Sequence, residues 1–333
     1  MPDGCDAPAL ATLAREHGRV LHVASDDAHM ARLEQALGFF APEVERIGFP
    51  AWDCLPYDRV SPHGEIVGRR IGALARLSVI GDSSAKSKPL IVLTTVNALL
   101  QRVPEPGYFA GSSLSLKVGS VIATEDLTRF FERNGYIRTD TVREPGEYAV
   151  RGGIVDVFAP GSAEPSRLDF FGDDLDGIRG FDPVSQRTTA KLKSIRFLPV
   201  AEFSLDEEAV ERFRATYRRQ FGTEVSKDTI YESVSAGRRH SGVEHWLPLF
   251  HETMATLLDY VPTALLALDH QIDASAASRF ELIAEYHDTR KSLLKAKGGE
   301  AGMVYRPLDA DSLYLGTDEF AELLKQRKVV RFS

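Results

Sequence analysis

Apolar residues follow two rhythms along the chain. At 19–24 (RVLHVA), 44–49 (VERIGF), 91–95 (IVLTT) and 264–269 (ALLALD) they run in continuous blocks of strand length. Between the blocks they recur at helical spacing: Met30, Leu33 and Leu37 within 27–37, then Val67, Ile71 and Leu74 within 65–79. Asp26 or Asp27 is placed to cap the first of these helices by accepting from a free backbone N–H, and another helix begins near Thr95. Blocks that are apolar at every position bury both faces, so strands of this kind alternating with helices predict a parallel sheet covered on both sides.

The rhythm changes near residue 124. A short helix (EDLTRFFERNGY) leads into strand-rich sequence punctuated by Gly146, Gly152, Gly153, Gly161, Gly172, Gly177 and Gly180, the pattern of hairpins in a small antiparallel domain. After about residue 200 the α/β pattern returns, with a helix over 274–295 and then SLYLG, the helix TDEFAELLKQ and the strand VVRFS. The expected fold is therefore α/β: a parallel-sheet domain built from two flanking segments, 1–123 and 201–333, with an inserted, antiparallel β-rich α+β domain at 124–200. KAKGGEAG at 295–302 has the composition of a mobile loop, and the closing strand suggests a fragment cut at a domain edge.

Composition narrows the function classes. The 333 residues suggest two or three domains at a prior of about 150 residues each. With 43% hydrophobic and 26% charged residues the chain is ordinary globular sequence, not a disordered one. Its net charge of −8 argues against a protein that coats nucleic acid, and the 11 basic and 13 acidic residues of 124–200 form no basic stripe. Two cysteines, with no CxxC, make neither a disulfide framework nor a zinc site, which points to a reducing, cytoplasmic compartment. No signal peptide is recognisable, and PLIVL and PTALLAL are too short to span a membrane.

Candidate chemistry is sparse. A phosphate-binding loop needs glycines for close backbone approach, a lysine for the outer phosphates and a hydroxyl for magnesium. No GxxxxGK[ST] occurs, no GxGxxG follows a strand, and PDGCDAPALATL ahead of the first strand has no lysine. No cofactor is expected. The nine histidines include no HExxH, and His240 and His245 lie in a polar stretch. Cys54, beside Trp52 and Leu55, reads as a small packed hydrophobe. Ser61–Pro62–His63 lies in a turn that rarely aligns a nucleophile with its base, and Asp173–Asp174 suits a turn.

The segment 144–188 stands apart. Strand period puts Leu168 and Phe170 of RLDFFGD on one side and Arg167, Asp169 and Phe171 on the other. Gly172–Asp173 suits a hairpin turn, after which Ile178 faces the core while Arg179 and Phe181 point outward. An arginine-and-aromatic face is characteristic of a docking hot spot. A solvated sheet face with salt bridges is the other reading of the same pattern.

RGGIVDVFAPGS, RLDFFGDDLDGIRGFDPVSQRT and AWDCLPYDRVSPHGEIVGRRIGAL resemble the N-terminal, UvrB-like region of the bacterial transcription-repair coupling factors (Mfd). The likeness runs from about Trp52 to the C-terminus and includes VEHWLPLF. It implies a degenerate helicase-like (RecA-like) α/β domain with an inserted UvrA-binding domain. It carries Arg151, Arg167 and Asp169 over as UvrA contacts, and a further basic position of the family falls at Ala149. Face geometry adds Phe171, Arg179, Phe181 and Arg187. The implied function is recruitment of nucleotide excision repair to stalled RNA polymerase, without catalysis in this chain. RNA polymerase and DNA would engage other regions of the full-length ATP-driven translocase, which could also mask the UvrA face. The alternative is a residual ATPase or DNA-binding motor domain.

Overall fold

In the computed structural model, which describes residues 5–80, 88–225, 228–296 and 305–332, the apolar blocks become a five-stranded parallel sheet. The first segment contributes α1 (Asp6–His17), β1 (Arg19–Ala24), α2 (Asp27–Phe40), β2 (Glu45–Phe49), α3 (Gly64–Ile80) and β3 (Leu90–Thr95). The middle of the chain forms β4 (Leu114–Lys117), α4 (Thr124–Arg133), β5 (Ile137–Arg138), β6 (Glu147–Arg151), β7 (Ile154–Val157) and β8 (Ser166–Phe171). It continues through β9 (Asp174–Phe181), β10 (Thr188–Leu192) and β11 (Ser194–Phe197). The last segment holds α5 (Glu207–Phe221), β12 (Leu265–Leu268), α6 (Ile272–Ala296), α7 (Thr317–Lys325) and β13 (Val329–Arg331).

The strand order β13-β12-β1-β3-β2 draws on both flanking segments, and every residue of β1 and β3 is buried. Alternation along β1 explains why. Leu21 and Val23 join one apolar cluster with α3, while Val20 and Ala24 join another with α1 and α2. Asp26 caps α2, its Oδ1 accepting from His29 N at 2.7 Å, and the Thr95 hydroxyl accepts from Ala98 N at the short helix that follows β3.

Strand feeds helix at Ser25–Asp26, after β1, and that turn is where a phosphate loop would sit. PDGCDAPALATL is not the corresponding place, because most of it forms α1. The turn is anionic. Burial alone would raise the Asp269 carboxyl, but His270 N and ring, Ser25 N and His29 bond to it and hold it well below the usual carboxylate range.

The middle of the chain folds as a six-stranded sheet, β10-β9-β8-β7-β6-β5, antiparallel except between β5 and β6. Its inner face (Tyr148, Val155, Val157, Leu168 and Ile178) packs on Leu127 and Phe131 of α4. Gly172 takes φ +62 at the hairpin turn, a conformation open to glycine at little cost. β4 and β11 pair with each other, so the two chain passages into and out of this unit run side by side.

After residue 200 the parallel sheet does not resume at once. Residues 201–260 build a helical layer in which Phe213, Tyr217 and Phe221, spaced for one face of α5, pack with Tyr231, Trp246 and Phe250. The expected loop at 295–302 falls outside the described residues from 297 onward. Among the described residues no helix is long and apolar enough to cross a membrane.

A buried ion pair locks the seam between segments. The Arg70 side chain on α3 is fully buried and bidentate to Glu202, at 2.6 and 3.3 Å, with a third bond to Pro50 O at 3.0 Å. Its guanidinium stacks 4.3 Å from the Phe49 ring centre. Nearby, α3 touches the inserted unit so closely that a Cβ on Gly68 would lie 2.6 Å from Gly161 N.

Candidate functional site

The outer face of the six-stranded sheet carries a charged row. Cross-strand register places Ala149 opposite Asp156, Asp156 opposite Arg167, Arg167 opposite Arg179, and Arg179 opposite Lys191. A second row runs Arg151, Ile154, Asp169 and Gly177. Arg167 directly opposite Arg179 would be repulsive on its own. Two carboxylates relieve it. Asp156, at 0% side-chain exposure, takes Arg167 through Nε at 2.7 Å and Nη2 at 2.9 Å, and also accepts from Arg151 Nη2. Asp169 takes Arg179 through Nε at 3.0 Å and Nη2 at 2.6 Å.

Three arginines (Arg151, Arg167 and Arg179) thus share two carboxylates, with Lys191 opposite Arg179, so these residues carry a positive surplus on a chain of net charge −8. The arginines are held in fixed orientation before any partner arrives. Preorganised, planar guanidinium groups of this kind suit carboxylate recognition.

The expected residues separate into three groups. Arg151 and Arg179 keep 49% and 39% of their side chains exposed, and Phe171, at the hairpin tip, is 84% exposed. Asp169 lies between them, partly exposed. Arg167 shares the face but is only 17% exposed, and its main partner is internal. Arg167 is thus held by a buried carboxylate instead of standing free on the face.

Phe181 is a correction. It lies on the same side of the sheet as Arg167, as alternation predicts, yet it is fully buried. Val142, Ala149 and Phe158 pack around it, because the chain between β5 and β6 folds over that end of the face. The Arg167 guanidinium lies 4.8 Å above its ring, a cation–π contact instead of a docking surface. Arg187 is exposed at the end of β9 away from Phe171, where its neighbour Thr188 pairs with Phe181.

Sequence reasoning missed two residues. Asp156 is the buried keystone of the row, and Ile154 is a partly exposed hydrophobe beside Asp169. IVDV contained the signal: an acidic residue between two inward-facing valines must point to the arginine side.

Other candidate chemistry resolves into structure. Burial pushes the Cys54 thiol up to about 12 and pulls its neighbour His245 down to about 4, so neither is poised for nucleophilic work. Ser61 Oγ donates to Glu244 at 2.7 Å and accepts from Gly242 N, while His63 is exposed. Among the described residues no three His, Cys, Asp or Glu side chains are placed to hold a metal ion.

Residues 114–203 match the UvrB interaction domain family. That range includes the whole six-stranded sheet and both strands of the β4–β11 pair. Over nearly the whole chain, similarity extends further. A transcription-repair-coupling factor of Haemophilus influenzae is 36% identical over 332 residues, 99% of this chain and 28% of that protein. The chain resembles the N-terminal, UvrB-like region of the transcription-repair-coupling factors. The Escherichia coli transcription-repair-coupling factor is 34% identical over 277 residues, 83% of this chain and 23% of that protein. That of Myxococcus xanthus is 33% identical over 267 residues, 75% of this chain and 22% of that protein. The chain spans about a quarter of the length of these relatives. The family match begins at 114, ahead of the expected boundary at 124, where β4 pairs back onto β11.

Proposed function

We propose that this chain is a non-catalytic docking module of a transcription-repair coupling factor, and that its inserted unit binds UvrA. The full-length protein would thereby recruit nucleotide excision repair to stalled RNA polymerase in the cytoplasm. Arg151, Arg179, Asp169, Ile154 and Phe171 form the contact surface, and Asp156 with Arg167 holds it in shape. One observation supports this most: a preorganised, net-positive arginine row lies on a partly exposed sheet face inside the segment that matches a UvrB interaction domain. The partner surface should be acidic, with an apolar recess for Phe171.

Calorimetric titration of UvrA with the whole chain tests the proposal. Wild-type protein should bind, and Arg151→Ala with Phe171→Ala should weaken binding by about 2 kcal/mol or more without changing the fold. Equal affinity of wild type and double variant would refute the surface. In full-length protein the same face could be covered by other regions, and tighter binding by this chain than by the intact factor would reveal such masking.

A residual ATPase is disfavoured by the β1–α2 turn. A nucleotide polyphosphate there would meet the Asp269 carboxylate and Asp26, with no lysine to offset them. Nucleotide binding at micromolar affinity would revive that alternative.

A further inference from the structure

Where the inserted unit meets the parallel-sheet unit, a cleft of about 450 Å³ opens between the edge strand β2, α3 and the residues around Pro160 and Arg196. Four arginines line it: Arg46 from β2, Arg69 and Arg76 from α3, and Arg196 from β11. Two carboxylates, Glu34 and Glu45, line it with them. Arg76 pairs with Glu45 at 2.8 Å, and Arg69 reaches Glu34 only at 3.7 Å.

The remaining two arginines pair with no carboxylate among the described residues. Arg46 uses Nη1 alone, on the carbonyls of Leu37, Ala41 and Val44 at 3.4–3.5 Å. Arg196 donates from Nη2 to Ser113 Oγ at 3.1 Å, and its buried Nε has no partner. A buried donor left without an acceptor is costly, so Arg196 is held at some expense beside the cleft. The cleft carries four positive and two negative charges, a surplus of two on an acidic chain.

The lining also restricts what that occupant is. Among the described residues no aromatic side chain faces the cleft, so they offer no platform for a nucleobase. Gly72 leaves part of its wall open, since a Cβ there would meet nothing within 4 Å, whereas the Arg69 and Glu34 side chains close over Gly48. Guanidinium forks in excess over carboxylates match a phosphate group, which carries about 1.5 to 2 negative charges near neutral pH. We propose that the seam binds a phosphate dianion, with Arg196 from one unit and Arg46, Arg69 and Arg76 from the other closing around it. The site is composite and exists only because Gly68 and Gly161 let the two units approach so closely. It lies apart from the docking row and does not depend on that assignment.

Titration of the whole chain with inorganic phosphate, against chloride at matched ionic strength, tests this by calorimetry and thermal unfolding. Phosphate should bind and raise the unfolding temperature. A nucleoside monophosphate should bind with affinity within about threefold of phosphate, since nothing reads the base; markedly tighter binding would show that a nucleotide is the ligand and overturn the phosphate-only reading. Arg196→Gln should weaken phosphate at least tenfold. Glu34→Gln should strengthen it several-fold, because it frees Arg69. That second variant keeps the test decisive even where the first fails to fold. No binding above chloride, or unchanged affinity in Glu34→Gln, would overturn the site.

Discussion

Each of the two units buries a carboxylate against a bidentate arginine, and each uses the pair differently. At the edge of the parallel-sheet unit Arg70 and Glu202 are both sealed, with Phe49 and Trp52 around them. In the inserted unit Asp156 is equally buried, but one of its two arginines, Arg151, is half exposed. The first pair spends all its hydrogen-bonding capacity inside the protein and fixes how distant segments meet. The second anchors groups that still present faces to solvent. The same chemistry is a lock in one place and a mount in the other, and exposure of the arginine decides which.

Breaking the lock should have the largest effect. Glu202→Ala leaves the Arg70 guanidinium buried without its counter-ion and should cost about 3–5 kcal/mol in denaturant unfolding. Arg167→Ala should cost less, about 1–3 kcal/mol, because Arg151 still serves Asp156; it should also weaken UvrA binding by loosening the row. A loss of binding with stability unchanged would instead make Arg167 a direct contact.

Acid should separate the two units. Residues 124–200 contain no histidine, whereas burial pulls His22 on β1 and His245 in the helical layer down to about 4 from the usual 6.5. The unfolded chain takes up those protons near pH 6.5 and the folded chain only near 4. Their contribution is therefore complete above 6.5 and is lost as pH falls from 6.5 through 4. His22 is buried on β1, so His22→Leu should flatten that decline while changing stability at pH 8 little. An unaltered slope in thermal unfolding between pH 7 and 4.5 would refute the assignment. The smallest stability effect belongs to Phe171→Ala, within about 0.5 kcal/mol, since the ring is already in solvent. Its effect on UvrA affinity should be far larger than its effect on unfolding.

Local periodicity made much of this molecule legible. The continuous apolar blocks became the central strands, Asp26 and Thr95 became caps, and the faces of Leu168, Phe170, Ile178, Arg167 and Arg179 followed from strand alternation. The helical layer at 201–260 was less legible, because its aromatic spacing shows its partners only once α5 and residues 229–250 are packed together.

The sequence by itself determined which side of a strand each residue faces, because side-chain direction is a property of the backbone two residues at a time. It could not determine what covers that side. Phe181 is buried only because residues before β6 fold across it, and Asp156 became a keystone only when two neighbouring strands brought Arg151 and Arg167 to it. Arg70 found its counter-ion 132 residues away, a meeting that depends on chain closure through the whole inserted unit. Local stereochemistry set the directions, and long-range packing decided which of them end in solvent.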